Sequence, residues 1–150
     1  MKQLKEKLYN HCLSWIDEKI KLAKSTIDNA QSAANEETKS SAGDKYETGR
    51  AMAQLEVEKG SIQLAEANKL SSVMNLFSPN TSNDTVTLGS LVHTDREWFY
   101  VSISAGQIVV DGQSVICLSP ASPLGVQMMG LSTGGIFKFN NLTYVIKDIF

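Results

Sequence analysis

The acidic residues Asp44 and Glu47 form the pattern in this 150-residue sequence that could do chemistry. Residues three apart share a helix face, so both carboxylates point the same way if a helix begins at Asp44. An Asp-x-x-Glu pattern directly after Gly43 is also a variant of the capping box, and a helix N-terminus favours negative charge. Taken alone, the pattern favours a helix cap over a metal site.

The cysteines and histidines show no metal-binding spacing. Cys12 and Cys117 are far apart in sequence and are predicted to be free thiols, with Cys117 buried at the end of an apolar strand. His11 and His93 are isolated, and we interpret them as surface or packed histidines. The sequence therefore predicts no cofactor of the chain's own.

Composition excludes several classes of protein. Apolar residues make up 42% and charged residues 20%, which is typical of a globular chain rather than a disordered one. The net charge of -2 argues against a dedicated nucleic-acid binder and against sequence-specific DNA binding. No apolar run approaches the ~18 residues of a membrane helix, and the N-terminus lacks the apolar core of a signal peptide. We therefore expect a cytoplasmic protein that does not bind a membrane.

A break in composition predicts two units. Residues 1–77 hold no Pro and balance 11 basic against 11 acidic residues, whereas residues 78–150 hold all three Pro and seven of the ten Gly. Such a shift indicates a change of secondary structure. We predict a helical hairpin over 1–77, a linker over 78–84 and a β-rich domain over 85–150.

Apolar spacing predicts an antiparallel coiled-coil hairpin in the first unit. Its first arm, residues ~5–40, would be ~50 Å long. The seam of this arm alternates steps of three and four residues, and it comprises Leu13, Ile16, Ile20, Ala23, Ile27, Ala30 and Ala34. The less regular stripe of the second arm comprises Met52, Leu55, Ile62, Ala65, Leu70, Val73, Leu76 and Phe77. The segment between the arms has no large apolar side chain, so we place the hairpin turn there, including Gly43 and Asp44.

The second unit is predicted to be a small antiparallel sheet with one short helix. Strand-like runs cover 86–94, 98–104, 107–110, 115–118, 136–139 and 142–149, and turn formers separate them. Ser122 is a good helix cap, Pro123 suits the first helical position and Gly130 suits the end. The fold class is therefore predicted to be α+β.

Two motifs in this order resemble the Gre transcript-cleavage factors (GreA/GreB). The run from Thr87-Leu88-Gly89-Ser90 through Ser122-Pro123-Leu124-Gly125 to the last strand is similar to the family's C-terminal domain. Gly43-Asp44-Lys45-Tyr46-Glu47 resembles the family's hairpin-tip motif Gly-Asp-x-x-Glu. The resemblance covers residues ~13–150 and implies a divergent member with a coiled-coil hairpin before an FKBP-like β domain.

The resemblance implies a role in transcription elongation. Gre factors enter the secondary channel of bacterial RNA polymerase, where the tip carboxylates help hold a second Mg²⁺ for cleavage of backtracked RNA at its 3′ end. Carried onto this sequence, Asp44 and Glu47 are the metal ligands, shared with the polymerase. The resemblance also implies that the surface around Ser122, Pro123, Leu124 and Gly125 docks on the polymerase. The chain would then be a cleavage-stimulating factor and not itself an enzyme.

Departures from the family pattern leave alternatives open. After the tip, the family has an acidic residue where this chain has Arg50. Arg50 can pair with Glu47 or contact RNA phosphate, and Lys45 can supply a further tip charge. One alternative is therefore a regulator or inhibitor of polymerase with the same architecture and no cleavage activity. The other is a coiled-coil interaction or scaffold protein.

Overall fold

The computed structural model describes residues 1–37 and 43–150, and the side chains among them except those of 37 and 43–46. The architecture is α+β, as predicted, with a helical hairpin followed by a sheet. The elements in chain order are α1 (Lys2–Glu37), α2 (Gly43–Met74), β1 (Leu91–Thr94), β2 (Trp98–Val101), β3 (Gly106–Val110), β4 (Gln113–Leu118), α3 (Pro123–Met128), β5 (Ile136–Phe139) and β6 (Leu142–Ile149).

The chain divides into two compact units. One comprises Trp15–Ser71, the main part of the hairpin, and the other comprises Met1–Ser14 together with Ser72–Phe150. Because α1 ends at Glu37 and α2 begins at Gly43, the connection between the helices is not near Gly60. The prediction that Gly43 and Asp44 lie in the hairpin turn is wrong, since both are helical. Gly43 and Asp44 belong to the first turn of α2. The predicted domain boundaries at 77 and 85 stay a prediction.

The seam of α1 agrees with the sequence pattern. Ile16, Ala23 and Ala30 are buried, and the residues between them in the pattern are half-buried, namely Ile20, Ile27 and Ala34. Leu13, the first residue of the predicted seam, is exposed instead. The seam predicted for α1, with its alternating spacing of three and four residues, is therefore confirmed from Ile16 to Ala34.

The predicted face of α2 is wrong. Met52, Leu55 and Ile62 are 64%, 64% and 61% exposed. The inner seam of α2 lies on a different side of the helix from Met52, Leu55 and Ile62. Its residues are buried or half-buried, and they are Ala53, Val57, Gly60, Leu64 and Ala67. A Cβ built on Gly60 would lie 2.8 Å from Cγ1 of Ile27 and 3.3 Å from the carbonyl oxygen of Ala23. Small residues allow this close approach of the two helices, and the larger apolar side chains are turned outward.

Six strands form one sheet in the order β3-β4-β2-β1-β6-β5. The pairing of β2 with β4 is parallel, and the other pairings are antiparallel, so the prediction of a purely antiparallel domain is corrected at this point. The chain between β2 and β4 includes β3, which lies at the edge of the sheet next to β4. Two tight turns close the hairpins at Asp111-Gly112 and Asn140-Asn141, all with positive φ, as two-residue hairpin turns require.

The strand predicted over 86–94 begins at Leu91, five residues after its predicted start. Gly89 has φ +94°, and a Cβ there would lie 2.7 Å from the ring of Phe77. The hydroxyl of Ser90 accepts a hydrogen bond from the backbone N–H of Thr87 at 3.0 Å, and the Ser90 N–H donates to the Thr87 carbonyl. Thr87 to Ser90 therefore form a turn, Val86 before it bonds to the backbone of Gly130 and Leu131, and the pairing of β1 starts at Leu91.

Each face of the sheet buries apolar side chains. On one face, Phe99 packs with Phe137 and Tyr144 in a cluster that includes Met128 of α3. The other face is covered by the first turns of α1 and the end of α2. There Tyr100 meets Phe77 edge to face, and Tyr9 donates a hydrogen bond to the carbonyl of Met74 at 2.9 Å. Leu8, Cys12 and Met74 are fully buried in this layer.

Candidate functional site

The hairpin tip carries the predicted metal ligands. Helix α2 starts at Gly43, so Asp44 and Glu47 lie three residues apart within one helix, a spacing that brings Cβ atoms to about 5–6 Å. The Glu47 side chain is exposed. The side chains of Asp44 and Lys45 lie outside the described residues, so their part of the predicted site stays a prediction.

Arg50 is the described cation nearest to Glu47 along α2. It is exposed and lies three residues after Glu47, on the same side of the helix. A guanidinium at this spacing can reach a carboxylate and compete with a metal ion for it. The tip therefore offers both an anionic group and a cationic group to solvent.

The residue types of the predicted tip motif suit Mg²⁺. Mg²⁺ prefers hard oxygen ligands and is usually bound by one or two carboxylates, with water and substrate completing the shell. Among the side chains that the structure describes, those of residues 1–36 and 47–150, no group of three or more His, Cys, Asp or Glu is arranged to hold a metal. Asp44 and Glu47 carry carboxylate oxygens, which are ligands of this kind.

The predicted docking motif is built around a capped helix. The Ser122 hydroxyl accepts a hydrogen bond from the N–H of Gly125 at 3.1 Å and donates to the carbonyl of Ser119 at 2.6 Å. Pro123 occupies the first helical position, where no backbone donor is needed. The predicted cap and first helical residue are therefore confirmed.

Gly125 and Leu124 fix the position of helix α3 on the sheet domain. A Cβ on Gly125 would lie 2.2 Å from the Ser119 carbonyl oxygen, so only glycine fits. Leu124 packs against the core cluster of the sheet. Pro123 is exposed, and Val126 in the next turn is 60% exposed. Of the four motif residues, three shape the helix, and the surface available to a partner is centred on Pro123 and Val126.

A cluster that sequence spacing did not indicate lies between α1 and the sheet. Cys12 and Cys117, 105 residues apart, are both buried free thiols that share a hydrogen bond, and Cys12 Sγ lies 3.6 Å from the Ser102 hydroxyl. The hydrogen bond to Cys12, together with burial, raises the pKa of the Cys117 thiol. The hydrogen bond with Cys117 lowers the pKa of the Cys12 thiol in turn. Both thiols are buried, and we interpret the pair as part of the core. The prediction that Cys117 is buried is confirmed.

One histidine is packed and the other is exposed. His93 stacks on Trp98 with ring centroids 4.1 Å apart, and its Nδ1 lies 3.1 Å from a carboxylate oxygen of Asp148. His11 is exposed on α1. Within the described residues, no helix is both long and apolar enough to cross a membrane.

Comparison with known proteins finds little sequence similarity. No protein-family model matches the chain, and no curated protein matches it. Among solved structures, the chain is similar to the GreA factor homolog 1 (Gfh1) protein of Thermus thermophilus, with 17% sequence identity, over 95% of this chain and 94% of that chain. The TM-score is 0.36. This similarity is too distant to assign a family or a function.

Proposed function

We propose that this chain is a Gre-like factor that binds bacterial RNA polymerase and presents its hairpin tip to the polymerase active site. The observation that carries the proposal is the position of the helical turn. Because α2 begins at Gly43, the Gly-Asp-x-x-Glu motif falls at the turn end of a two-helix hairpin. A tip motif in the middle of a helix would have argued against it.

The capped helix α3 supports the second contact. Its motif Ser122-Pro123-Leu124-Gly125 folds as a rigid, N-capped turn that holds Pro123 and Val126 at the surface of the sheet domain. A pre-formed apolar surface of this kind loses little side-chain entropy on binding. In the proposal, this surface docks on the polymerase while the hairpin occupies the secondary channel.

The proposed role of the tip is to stimulate cleavage of backtracked RNA. A second Mg²⁺, when bound, stabilises the attacking and leaving oxygens of an in-line displacement. Asp44 and Glu47 supply two of its oxygen ligands from the first turn of α2, and the polymerase supplies the rest. The chain donates carboxylates to another protein's active site and has no cofactor of its own.

Arg50 favours a second candidate function, a polymerase regulator without cleavage activity. Its guanidinium lies one helical turn from Glu47 and replaces the acidic residue that the family has. Positive charge at this position weakens cation binding by the neighbouring carboxylate. In this candidate the hairpin occupies the channel and does no chemistry.

A cleavage assay on stalled elongation complexes tests both candidates. In the first candidate, the chain stimulates cleavage, and Asp44→Asn and Glu47→Gln each lower the rate at least ~100-fold while polymerase binding persists, since the ligands act in the transition state. The matched control is Glu56→Gln, an exposed carboxylate farther along α2.

Three further outcomes separate the proposals. A chain that binds polymerase but does not stimulate cleavage supports the regulator, particularly if Arg50→Glu gains activity. Unchanged cleavage in Asp44→Asn would show that Asp44 is a helix cap only. A chain that does not bind polymerase at all would overturn both candidates.

A further inference from the structure

The outward face of α2 carries an apolar stripe that its own hairpin does not cover. We define the outer stripe as Met52, Leu55, Lys59, Ile62, Glu66 and Leu70, whose steps of three and four residues put them on one helix face. Met52, Leu55 and Ile62 are each more than 60% exposed. Leu22 of α1, which is 68% exposed, lines a groove with Leu70, Glu66 and Gln63 at the same side of the hairpin.

The hairpin itself cannot bury this stripe. α2 packs on α1 through the separate seam described above, in which the backbone of Gly60 lies close to Ile27 and Ala23. A second groove, lined by Ala30, Ala33 and Gly49 together with Met52 and Leu55, continues along the stripe. Single exposed apolar residues are ordinary, but a row of them on one helix face beside two grooves, interrupted only by Lys59 and Glu66, is typical of an interaction surface.

The charges in the stripe indicate what covers it. Lys59 lies three residues before Ile62, and Glu66 lies four residues after it. If two copies of α2 cross antiparallel on a two-fold axis that passes between Ile62 and Gln63, Lys59 of each copy faces Glu66 of the other. The same operation places Leu55 opposite Leu70. A parallel arrangement would instead place Lys59 against Lys59 and Glu66 against Glu66, which is repulsive.

We propose that the outer stripe is a self-complementary interface at which two copies of this chain pair through antiparallel α2 helices. The arrangement is isologous, because the same patch serves both copies. Nineteen helical residues of ~10 Å width cover roughly 300 Å² per copy, below the ~800 Å² of a standard interface. The pairing is therefore expected to be weak. The proposal does not depend on the proposed function.

Sedimentation equilibrium of the full chain from ~5 to ~500 μM tests the interface. Wild type is expected to show a concentration-dependent dimer, and Ile62→Ser is expected to weaken it at least ~10-fold. Lys59→Glu and Glu66→Lys, each alone, create two like-charge contacts and are expected to weaken the dimer at least ~10-fold. The double variant Lys59→Glu/Glu66→Lys exchanges the charges and is expected to restore the wild-type Kd within about threefold.

Controls separate charge pairing from net charge and from folding. Lys24→Glu makes the same charge change at an exposed position of α1, on the side away from Leu22, and is expected to leave the dimer unchanged. Helicity by circular dichroism should match wild type in all variants, because the substituted side chains are exposed. Mixing the two single variants should give a heterodimer with two opposite-charge contacts.

The proposal is overturned by any of three results. These are a monomeric wild type across the whole concentration range, a dimer that is unchanged in both single charge variants, and a double variant that fails to recover dimerisation while remaining helical.

Discussion

Tyr100 places a phenol hydroxyl in the apolar layer between the sheet and the helices. The residue is fully buried, and its Oη has no hydrogen-bond partner among residues 1–37 and 43–150. A buried donor without a partner costs about 1–3 kcal/mol. Burial, followed by the neighbouring Cys12, Cys117 and Tyr9, raises the pKa of this phenol. The ring packs well, and the hydroxyl is the part of the side chain that destabilises the fold.

Removing the hydroxyl in Tyr100→Phe is expected to raise the free energy of unfolding by about 1 kcal/mol at pH 7. The folded pKa lies above the unfolded value near 10, so wild-type stability falls as the pH rises above ~10, by up to ~1.4 kcal/mol per pH unit. The variant should lack this part of the alkaline loss. Urea unfolding at pH 7 and between pH 9 and 11 measures both effects.

Tyr9→Phe is the matched control for this prediction. Its hydroxyl donates to the Met74 carbonyl at 2.9 Å, so its removal should lower stability at pH 7 by about 1 kcal/mol. A loss of stability in Tyr100→Phe would show that the Tyr100 hydroxyl makes a favourable contact after all.

At the scale of the elements, the sequence predicted the existence, type and order of the helices and most strands. The hairpin turns at Asp111-Gly112 and Asn140-Asn141 were predictable because few residues adopt positive φ. The face of α2 was not, because hydrophobicity ranks Leu55 and Ile62 above Ala53 and Gly60. Side-chain size decides which residues lie where two helices approach closely. Ala53 and Gly60 are small enough for that position, and Leu55 and Ile62 are not. The contact of Cys12 with Cys117 depends on how α1 lies on the sheet, and no local pattern encodes it.

The close approach at Gly60 gives a prediction for the hairpin. On an open helix, Gly→Ala stabilises by about 1 kcal/mol. Gly60→Ala is expected instead to lower the free energy of unfolding by about 1–2 kcal/mol, since the new Cβ would lie 2.8 Å from Cγ1 of Ile27. Urea unfolding followed by circular dichroism measures this change.

A double-mutant cycle identifies the contact that is responsible. Ile27→Ala removes the Cγ1 atom, so the double variant Ile27→Ala/Gly60→Ala should lose less stability than the sum of the single losses. Additive losses would place the strain elsewhere, and a stabilised Gly60→Ala would show that the helices separate without cost.

At the scale of the whole molecule, the ends of the hairpin helices belong to the sheet unit. Residues 1–14 and 72–150 form one compact unit, in which Leu8 and Met74 are fully buried. Burying each such side chain contributes about 1.5–3 kcal/mol. A fragment that starts near residue 80 lacks both, and the loss of roughly 3–6 kcal/mol is a large part of the 5–15 kcal/mol that stabilises a typical domain.

This division predicts which truncation yields a folded sheet unit. A chain in which residues 15–71 are replaced by about six Gly and Ser residues should unfold cooperatively and keep the near-ultraviolet signal of its buried aromatic residues. Residues 80–150 alone should lack both, because the face of Tyr100 is uncovered.

The chain that lacks residues 15–71 can also be used to test docking. Under the proposed function, it competes with the full chain for binding to polymerase. The substitution Val126→Asp in this shortened chain is expected to abolish the competition. A cooperatively folded 80–150 fragment would show that the helix ends are dispensable, and a folded shortened chain that does not compete would place the docking surface elsewhere.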